Sequence, residues 1–288
     1  MHDFEFHTPN SLEETIGFLE TYGEDARPLA GGTGLVQLMK LRLSIPDHVI
    51  SLQRIPGLSG IERQNGTVKI GALTTHREVE TSPLIQEFLP LVAETYRHVA
   101  TVRIREVATI GGGLAHADPA QDPQPMLIAL GARVQLTSSQ GQREVSVEEL
   151  ATDYYESVIR TGELLTELTI PIPSNSGAGA FLKFLPRTAD DYATVSAAVW
   201  LSLNPEGVCQ QVSIGLGSVG STAVRAHQAE ALLQGKEPTP DNLRMAAEGV
   251  LPAINPMDDL RGSADYKREV ATVITRRALE AALARAKS

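Results

Sequence analysis

The stretch Thr109-Ile-Gly-Gly-Gly-Leu-Ala-His-Ala-Asp-Pro-Ala-Gln-Asp122 carries the strongest fold signal in this chain. An apolar strand end leads into three glycines and a polar turn. Asp118, a good N-cap, then opens a helix, with Pro119 at its first position and Gln121 at capping-box spacing. Consecutive glycines leave backbone amides bare, and a helix N-terminus attracts anions. The stretch predicts a phosphate-binding loop, although a glycine-rich turn that only lets two elements pack has the same pattern.

A second glycine loop, Ala30-Gly-Gly-Thr-Gly-Leu35, comes earlier in the chain and has the same context. The run Arg27-Pro-Leu-Ala30 predicts a short strand before it, and residues 35–39 predict a helix after it. Two such loops in one small part of the chain indicate a ligand with two phosphates, or one pyrophosphate held from both sides. A dinucleotide is the natural candidate.

The spacing of these glycines is not that of a Rossmann fold, which needs Gly-x-Gly-x-x-Gly after a strand and inside a complete βαβ unit. Residues 215–220, Gly-Leu-Gly-Ser-Val-Gly, match that pattern literally and follow the strand-like run 212–214. The helical stretch 224–233 then leads to a Pro-Thr-Pro turn and another helix, so no second strand closes the unit. We therefore predict no nucleotide site there.

Strands and helices are mixed along the chain, which predicts an α+β fold. The predicted domains are 1–56, 57–173 and 178–288, with the last boundary in the breaker-rich run 171–177. In the second domain, Asn65-Gly66 supplies the two positive-φ positions of a tight hairpin turn. The third domain has three strand-like runs followed by three helices, which predicts a three-stranded antiparallel sheet with helices.

Composition limits the partners and the location. The net charge of −10 argues against nucleic acid and anionic membranes, because both call for a basic face. No segment approaches the ~20 apolar residues of a membrane span, and the N-terminus lacks the basic and apolar regions of a secretory signal. Cys209 is the single cysteine, which excludes an intrachain disulfide and a four-cysteine iron–sulfur cluster. These features predict a cytoplasmic protein.

Five groups of residues are spread in order along nearly the whole chain. They are Ala30-Gly-Gly-Thr-Gly-Leu35 with Met39-Lys-Leu-Arg42, Ile70-Gly-Ala-Leu-Thr-Thr-His76, Arg105-Glu-Val-Ala-Thr-Ile-Gly-Gly112 through Asp122-Pro-Gln-Pro125, Lys183-Phe-Leu-Pro-Arg187 with Asp190-Asp-Tyr-Ala193, and Leu260-Arg-Gly-Ser-Ala-Asp-Tyr-Lys-Arg268. Together they resemble the FAD-binding medium subunit of the molybdenum hydroxylases, the xanthine dehydrogenase and aerobic carbon monoxide dehydrogenase family. The resemblance implies two mixed subdomains that clasp FAD in the fold shared with vanillyl-alcohol oxidase, followed by a C-terminal sheet carrying helices.

The resemblance also implies where FAD binds. The amides of the two glycine loops would meet the pyrophosphate and ribityl regions, Asp122 would lie near the flavin end, and the Lys183 cation would stabilise the anionic reduced flavin. Asp122 can also be read as a capping group, and Lys183 as a surface lysine of a strand. His76 and His116 are interpreted as polar loop residues rather than covalent flavin attachment points. The predicted cofactor-binding residues are Ala30, Gly31, Gly32, Thr33, Gly34, Leu35, Thr109, Ile110, Gly111, Gly112, Gly113, Asp122 and Lys183.

The function implied by the resemblance is electron transfer within a complex. A molybdopterin-binding large subunit would oxidise the substrate, and a 2Fe-2S small subunit would pass electrons to FAD on this chain. The flavin would deliver them to NAD, a quinone or another acceptor. The single cysteine requires the iron–sulfur clusters to be on another chain, so we expect a heterotrimer or a dimer of heterotrimers.

Two alternatives remain open at this level. A self-sufficient flavoenzyme of the same fold would need a general acid or base over the flavin, and the sequence offers no obvious one. A cofactor-free scaffold would have kept the fold and lost FAD. No catalytic residue and no metal ligand is predicted in the chain, because no Ser-His-Asp set or metal-ligand spacing is apparent.

The chain departs from the family pattern at the glycine loops. Gly113 stands where the family usually has asparagine, and Gly34 where serine or asparagine is frequent. Arg103 and Glu106 replace the outer residues of the usual Gln-Ile-Arg-Asn. Contacts to the flavin cofactor would therefore depend more on the backbone.

We predict that Gly113→Asn tightens FAD binding, because the variant restores a side-chain amide beside the cofactor. Fluorescence titration of the purified chain with FAD measures the change. Unchanged or weaker binding would contradict the prediction.

Overall fold

The computed structural model describes residues 2–173, 177–185, 188 and 190–288 of the chain. Residues 174–176, within the predicted domain boundary, lie outside the described residues, as do Pro186 and Arg187 of the motif 183–187. Strands and helices alternate and form a mixed α/β structure, in agreement with the predicted mixture.

The N-terminal part forms a small parallel sheet with strand order β1-β3-β2. Val49 and Ile50 of the central strand are fully buried. Helix α1 begins after the N-cap Ser11, whose hydroxyl accepts a hydrogen bond from the Glu14 amide at 3.1 Å, and Glu14 accepts one from the Asn10 amide at 2.8 Å. The elements are β1 (Glu5–His7), α1 (Leu12–Tyr22), β2 (Ala26–Leu29), α2 (Leu35–Lys40) and β3 (His48–Ser51).

The middle part is built on an antiparallel five-stranded sheet of order β4-β5-β10-β6-β7. The predicted hairpin turn is confirmed, since Asn65 and Gly66 have φ values of 48° and 79°. The elements are β4 (Ile61–Gln64), β5 (Thr67–Gly71), α3 (His76–Thr81), α4 (Pro83–Phe88), α5 (Pro90–Arg97), α6 (Val102–Arg105), α7 (Ile110–His116), α8 (Pro123–Ala129), β6 (Arg133–Ser138), β7 (Gly141–Ser146), α9 (Val147–Leu150), β8 (Ala151–Asp153), β9 (Glu156–Ser157) and β10 (Leu164–Pro171).

The C-terminal sheet has four strands, so the predicted three-stranded sheet is wrong. The added strand β14 falls where the sequence predicted the start of a helix. Arg225 pairs with Gly215 of β13, and its side chain donates to Glu230 at 2.9 Å, which delays the helix to His227. The elements are β11 (Gly177–Phe184), β12 (Val195–Leu203), β13 (Cys209–Gly217), β14 (Val224–Arg225), α10 (His227–Leu233), α11 (Pro240–Glu248) and α12 (Ala264–Ala286).

The Gly-x-Gly-x-x-Gly run of residues 215–220 has a packing explanation. A Cβ atom on Gly215 would overlap the carbonyl oxygen of Pro125, and one on Gly217 would lie 2.6 Å from the Ser196 hydroxyl and 3.2 Å from the Pro125 ring. Strand β13 therefore carries glycines because helix α8 lies directly against its backbone.

Among the helices that the structure describes, none is both long enough and apolar enough to cross a membrane.

We predict that Gly215→Ala lowers the free energy of unfolding by about 1–3 kcal/mol, because the added methyl forces α8 away from β13. Urea unfolding of the purified chain measures this change in the free energy of unfolding. The control is Gly17→Ala, in the middle of α1, where nothing lies within 4 Å of the new methyl. That variant should gain about 1 kcal/mol from helix propensity. A loss of stability in Gly17→Ala as large as in Gly215→Ala would contradict the packing argument.

Candidate functional site

The two glycine stretches, far apart in sequence, line one open cleft with a volume of about 1140 Å³. This exceeds the roughly 300–1,000 Å³ of sites for drug-sized ligands. Two of the predicted residues do not line the cleft. Ile110 is buried in the core, and Lys183 lies behind Asp122. The predicted residues that do line it are Ala30, Gly31, Gly32, Thr33, Gly34, Leu35, Thr109, Gly111, Gly112, Gly113 and Asp122.

The first stretch is a loop between β2 and α2, as predicted. Gly32 has a φ of 74°, which other residues rarely adopt. A Cβ atom on Gly31 would overlap the carbonyl oxygen of Val107, so the loop depends on backbone contact with the segment before α7. Among the described residues, no acceptor meets the amides of residues 31–34. These amides are therefore available to an anion.

The second stretch differs from the predicted loop, because its three glycines lie in the first turns of helix α7. Thr109 is the N-cap, and its hydroxyl accepts a hydrogen bond from the Gly112 amide at 3.2 Å. This cap offsets part of the low helix propensity of glycine. A Cβ atom on Gly111 would lie 2.5 Å from the Cβ of Ala72. The glycines thus let α7 lie close against the chain after β5.

The amides of α7 are already hydrogen-bonded within the protein. The amides of Ile110 and Gly111 donate to the carbonyls of Thr74 and Ala72 at 3.0 and 2.8 Å, and the Gly113 amide donates to the Thr109 carbonyl at 2.9 Å. The second stretch therefore offers the cleft a surface with no side chains, while the free donors come from the first loop.

The predicted helix start at Asp118 is wrong. Asp118 forms a turn in which its carboxylate accepts from the Ala120 amide at 3.0 Å, and the next helix, α8, begins at Pro123. Gln121 lies within the turn instead of completing a capping box. Its Oε1 would be 3.1 Å from a Cβ on Gly113, so an asparagine there needs a small shift of a flexible side-chain end.

Asp122 and Lys183 form a buried ion pair, with Nζ to Oδ2 at 2.8 Å and side chains 4% and 3% exposed. Lys183 is on β11, and it also donates to the carbonyl of His98 at 3.3 Å. It is therefore not a surface lysine of a strand. Asp122 makes no capping hydrogen bond to α8, and its Oδ1 has no partner among the described residues.

Burial raises the pKa of Asp122 to about 6, and the charge and hydrogen bond of Lys183 oppose that rise. Asp122 is consequently ionised at neutral pH while holding one carboxylate oxygen free. Asp122 lines the cleft, and because its Oδ1 is shielded from solvent, a ligand N–H or O–H group would reach that oxygen after the side chain turns toward the cleft.

The two histidines near the glycine stretches are held by packing. His76 lines the cleft against the Tyr96 ring, 5.0 Å between centroids, and burial lowers its pKa to about 4. The His116 ring would be 3.2 Å from a Cβ on Gly34, which places it against the first loop. Burial also lowers the pKa of His116. Both side chains are thus neutral at pH 7.

Some cleft residues were not assigned from the sequence. Tyr155 and Tyr192 line the cleft. Burial is the main cause that raises the pKa of each, and the Asp118 charge raises it further. Tyr192 belongs to the motif of residues 190–193 that resembles the family, so the sequence pointed to that segment. Tyr155 belongs to none of the motifs. The Arg105 side chain was also missed as a support for the cleft wall.

Arg105 holds the wall of the cleft beside α6. Its Nε donates to Glu80 at 2.9 Å, with both side chains buried, and its Nη1 donates to the carbonyls of Val99 and Ala100 at 2.7 and 2.9 Å. Val99, Ala100 and Ile104 line the cleft. Arg105 is therefore a structural cation that fixes this segment.

Two family models together match nearly the whole chain. The FAD binding domain in molybdopterin dehydrogenase matches residues 2–173, and the CO dehydrogenase flavoprotein C-terminal domain matches residues 180–282.

Relatives of this chain align with it end to end. It is 39% identical to the carbon monoxide dehydrogenase medium chain of Afipia carboxidovorans over 288 residues, with 99% of this chain and 98% of the relative covered. It is 36% identical to the 6-hydroxypseudooxynicotine dehydrogenase complex subunit alpha of Paenarthrobacter nicotinovorans, with 99% and 96% covered. A chain of the carbon monoxide dehydrogenase structure from Hydrogenophaga pseudoflava superposes with a TM-score of 0.95 at 38% identity, with 98% of each chain covered.

We predict that Lys183→Met lowers the free energy of unfolding by about 3–5 kcal/mol, because it leaves the buried Asp122 carboxylate without a partner. Adding Asp122→Asn should recover most of that loss. Denaturant unfolding at pH 7.5 measures both. The control is Lys69→Met, which breaks a half-exposed pair with Glu167 and should cost no more than about 1 kcal/mol. Equal losses for the two lysines would contradict the prediction.

Proposed function

This chain belongs to the family of FAD-binding medium subunits of the molybdenum hydroxylases, and we propose that the cleft between its two glycine stretches holds FAD. One observation carries the proposal: residues 30–35 and 109–113 meet across a single cleft of about 1140 Å³. Its walls are free of side chains where a dinucleotide backbone needs to come close. We infer the two-subdomain fold of vanillyl-alcohol oxidase for residues 1–173.

The first loop is proposed to bind the pyrophosphate. The amides of residues 31–34 are without acceptors among the described residues, and the positive φ of Gly32 turns successive amides toward one side. The chain has a net charge of −10, and these four backbone N–H groups can bind an anion without a positively charged side chain. The glycines of α7 are proposed to face the ribityl region.

Asp122 and Lys183 are proposed to serve the flavin end. The free Oδ1 of Asp122 can accept a hydrogen bond from the ligand, and the Lys183 contact keeps that carboxylate ionised and fixed in orientation. When bound, FAD supplies the redox chemistry and exchanges electrons singly or in pairs. The chain provides binding, orientation and electrostatic environment.

The chain is proposed to work inside a complex. Cys209 is the single cysteine of the chain and is fully buried, so the chain cannot supply the four cysteine ligands of an iron–sulfur cluster. The iron–sulfur clusters are then on a 2Fe-2S small subunit and the substrate site on a molybdopterin-binding large subunit, in a heterotrimer or a dimer of heterotrimers in the cytoplasm. The electrons leave to NAD, a quinone or another acceptor.

The substrate is proposed to be set by another chain. The relatives named carbon monoxide dehydrogenase and 6-hydroxypseudooxynicotine dehydrogenase have chemically unlike substrates in their names, yet they are 39% and 36% identical to this chain. A similar medium subunit therefore serves different oxidations.

The test is FAD binding by the purified chain, followed by capture of its partners. We expect flavin absorption bands on addition of FAD, and co-purification of a molybdenum subunit and an iron–sulfur subunit from native extract. Gly32→Ala should weaken FAD binding at least about tenfold, because alanine strains the loop that orients the amides.

Gly66→Ala is the matched control for Gly32→Ala. Its φ of 79° imposes a similar backbone strain, but it lies in the β4–β5 turn, where no described residue comes within 4 Å of an added Cβ, and it does not line the cleft. It should bind FAD as the natural chain does. Flavin binding without partners would favour the self-sufficient flavoenzyme, and a chain that stays colourless with FAD would contradict the proposal.

A further inference from the structure

A second group of polar side chains lies on the N-terminal sheet, and none of its members lines the cleft. Glu5 and His48 are direct neighbours in the parallel pairing of β1 with β3. Because alternate residues of a strand share a face, His7 lies on the same face as Glu5. The register therefore brings one carboxylate and two imidazoles together at the end of the sheet.

The distances within this group suit a tetrahedral metal ion. His7 Nε2 lies 3.1 Å from His48 Nδ1, and Glu5 Oε2 lies 3.8 Å from His7 Nε2 and 3.5 Å from His48 Nδ1. Ligand atoms about 2.0–2.1 Å from a tetrahedral Zn²⁺ are separated from one another by about 3.3 Å. A single ion can thus contact all three atoms after movements of a few tenths of an ångström.

The two imidazoles are held in place by aromatic packing. The Tyr22 ring stacks on His48 at 3.7 Å and on His7 at 5.1 Å between centroids, and Phe18 lies 4.8 Å from His7. The His7 and His48 side chains are only 15% and 19% exposed, whereas Glu5 is 72% exposed. The nitrogens are fixed before an ion arrives, and the carboxylate can close over the ion from the solvent side.

We propose that Glu5, His7 and His48 form a binding site for a divalent transition-metal ion, with Zn²⁺ as the reference ion. Two imidazoles and one carboxylate are a common Zn²⁺ ligand set, and a water completes the coordination. The ion would join β1, a strand of three residues, to the central strand of its sheet. Since the unfolded chain lacks the arrangement, binding should also raise the melting temperature.

The test is calorimetric titration of the untagged, EDTA-treated chain with Zn²⁺ alone, together with thermal unfolding. We expect one ion bound per chain and a higher melting temperature with Zn²⁺. His7→Gln and His48→Gln should each weaken Zn²⁺ binding by at least about tenfold. Removal of a residue that only orients a metal ligand already weakens metal affinity by about 10–100-fold, and loss of the ligand itself should cost at least as much. X-ray absorption at the zinc edge should show two imidazole nitrogens.

Two further variants keep the test decisive. Glu5→Gln alters an exposed side chain, so it should fold and bind Zn²⁺ more weakly even where His48→Gln disturbs the packing on Tyr22. The control is His227→Gln, which removes an exposed histidine that contacts Glu148 and Glu230, and it should leave Zn²⁺ binding unchanged. No binding by the natural chain, or equal binding by the natural chain and the His7→Gln variant, would overturn the proposal.

Discussion

The buried ion pair between Asp122 and Lys183 determines how the C-terminal sheet meets the cleft. Each charge is nearly excluded from water, so neither side chain is stable there without the other. Because Asp122 stands just before α8 and Lys183 is on β11, the pair ties two parts of the fold at one point. Helix α8 is further fixed by Pro125, which lies against the backbone of Gly215. The cleft thus has a rigid wall beside Asp122 that is built from both parts.

The opposite wall depends on backbone contact that only glycine allows. Gly31 lies against the Val107 carbonyl, and Gly111 lies against Ala72. The contacts place the first loop beside α7, and the amides of residues 31–34, which line the cleft, have no acceptors in the described structure. The glycines of the two stretches therefore allow close packing between segments and leave a surface that no side chain blocks.

These two walls explain how one fold can serve several oxidations. The features proposed to serve FAD are backbone amides and an unpaired carboxylate oxygen, and neither of them selects a substrate. Relatives with different named reactions align over nearly their full length with this chain. The proposed metal-ion site lies on the N-terminal sheet and outside the cleft, so it would act on stability rather than on electron transfer.

Local chemistry allowed several elements to be predicted from the sequence. The Asn65-Gly66 turn follows from the φ preferences of these two residues, and the place of residues 30–35 between a strand and a helix follows from the apolar pattern on each side. Strand β14 and the helical conformation of the α7 glycines were missed because contacts with other segments of the chain determine them. Arg225 is held extended by pairing with Gly215, and the α7 glycines are held helical by the Thr109 cap and contact with Ala72.

The sequence by itself determined that two glycine stretches, one carboxylate and one lysine belong to an FAD protein, because their order and spacing are those of the family. Only the tertiary structure decided which of them act directly. In the described structure the amides of the first loop have no acceptors, whereas those at the start of α7 donate hydrogen bonds within the protein. Lys183 is buried behind Asp122. Hydrogen-bond partners and burial depend on residues distant in the chain, and a linear pattern does not contain them.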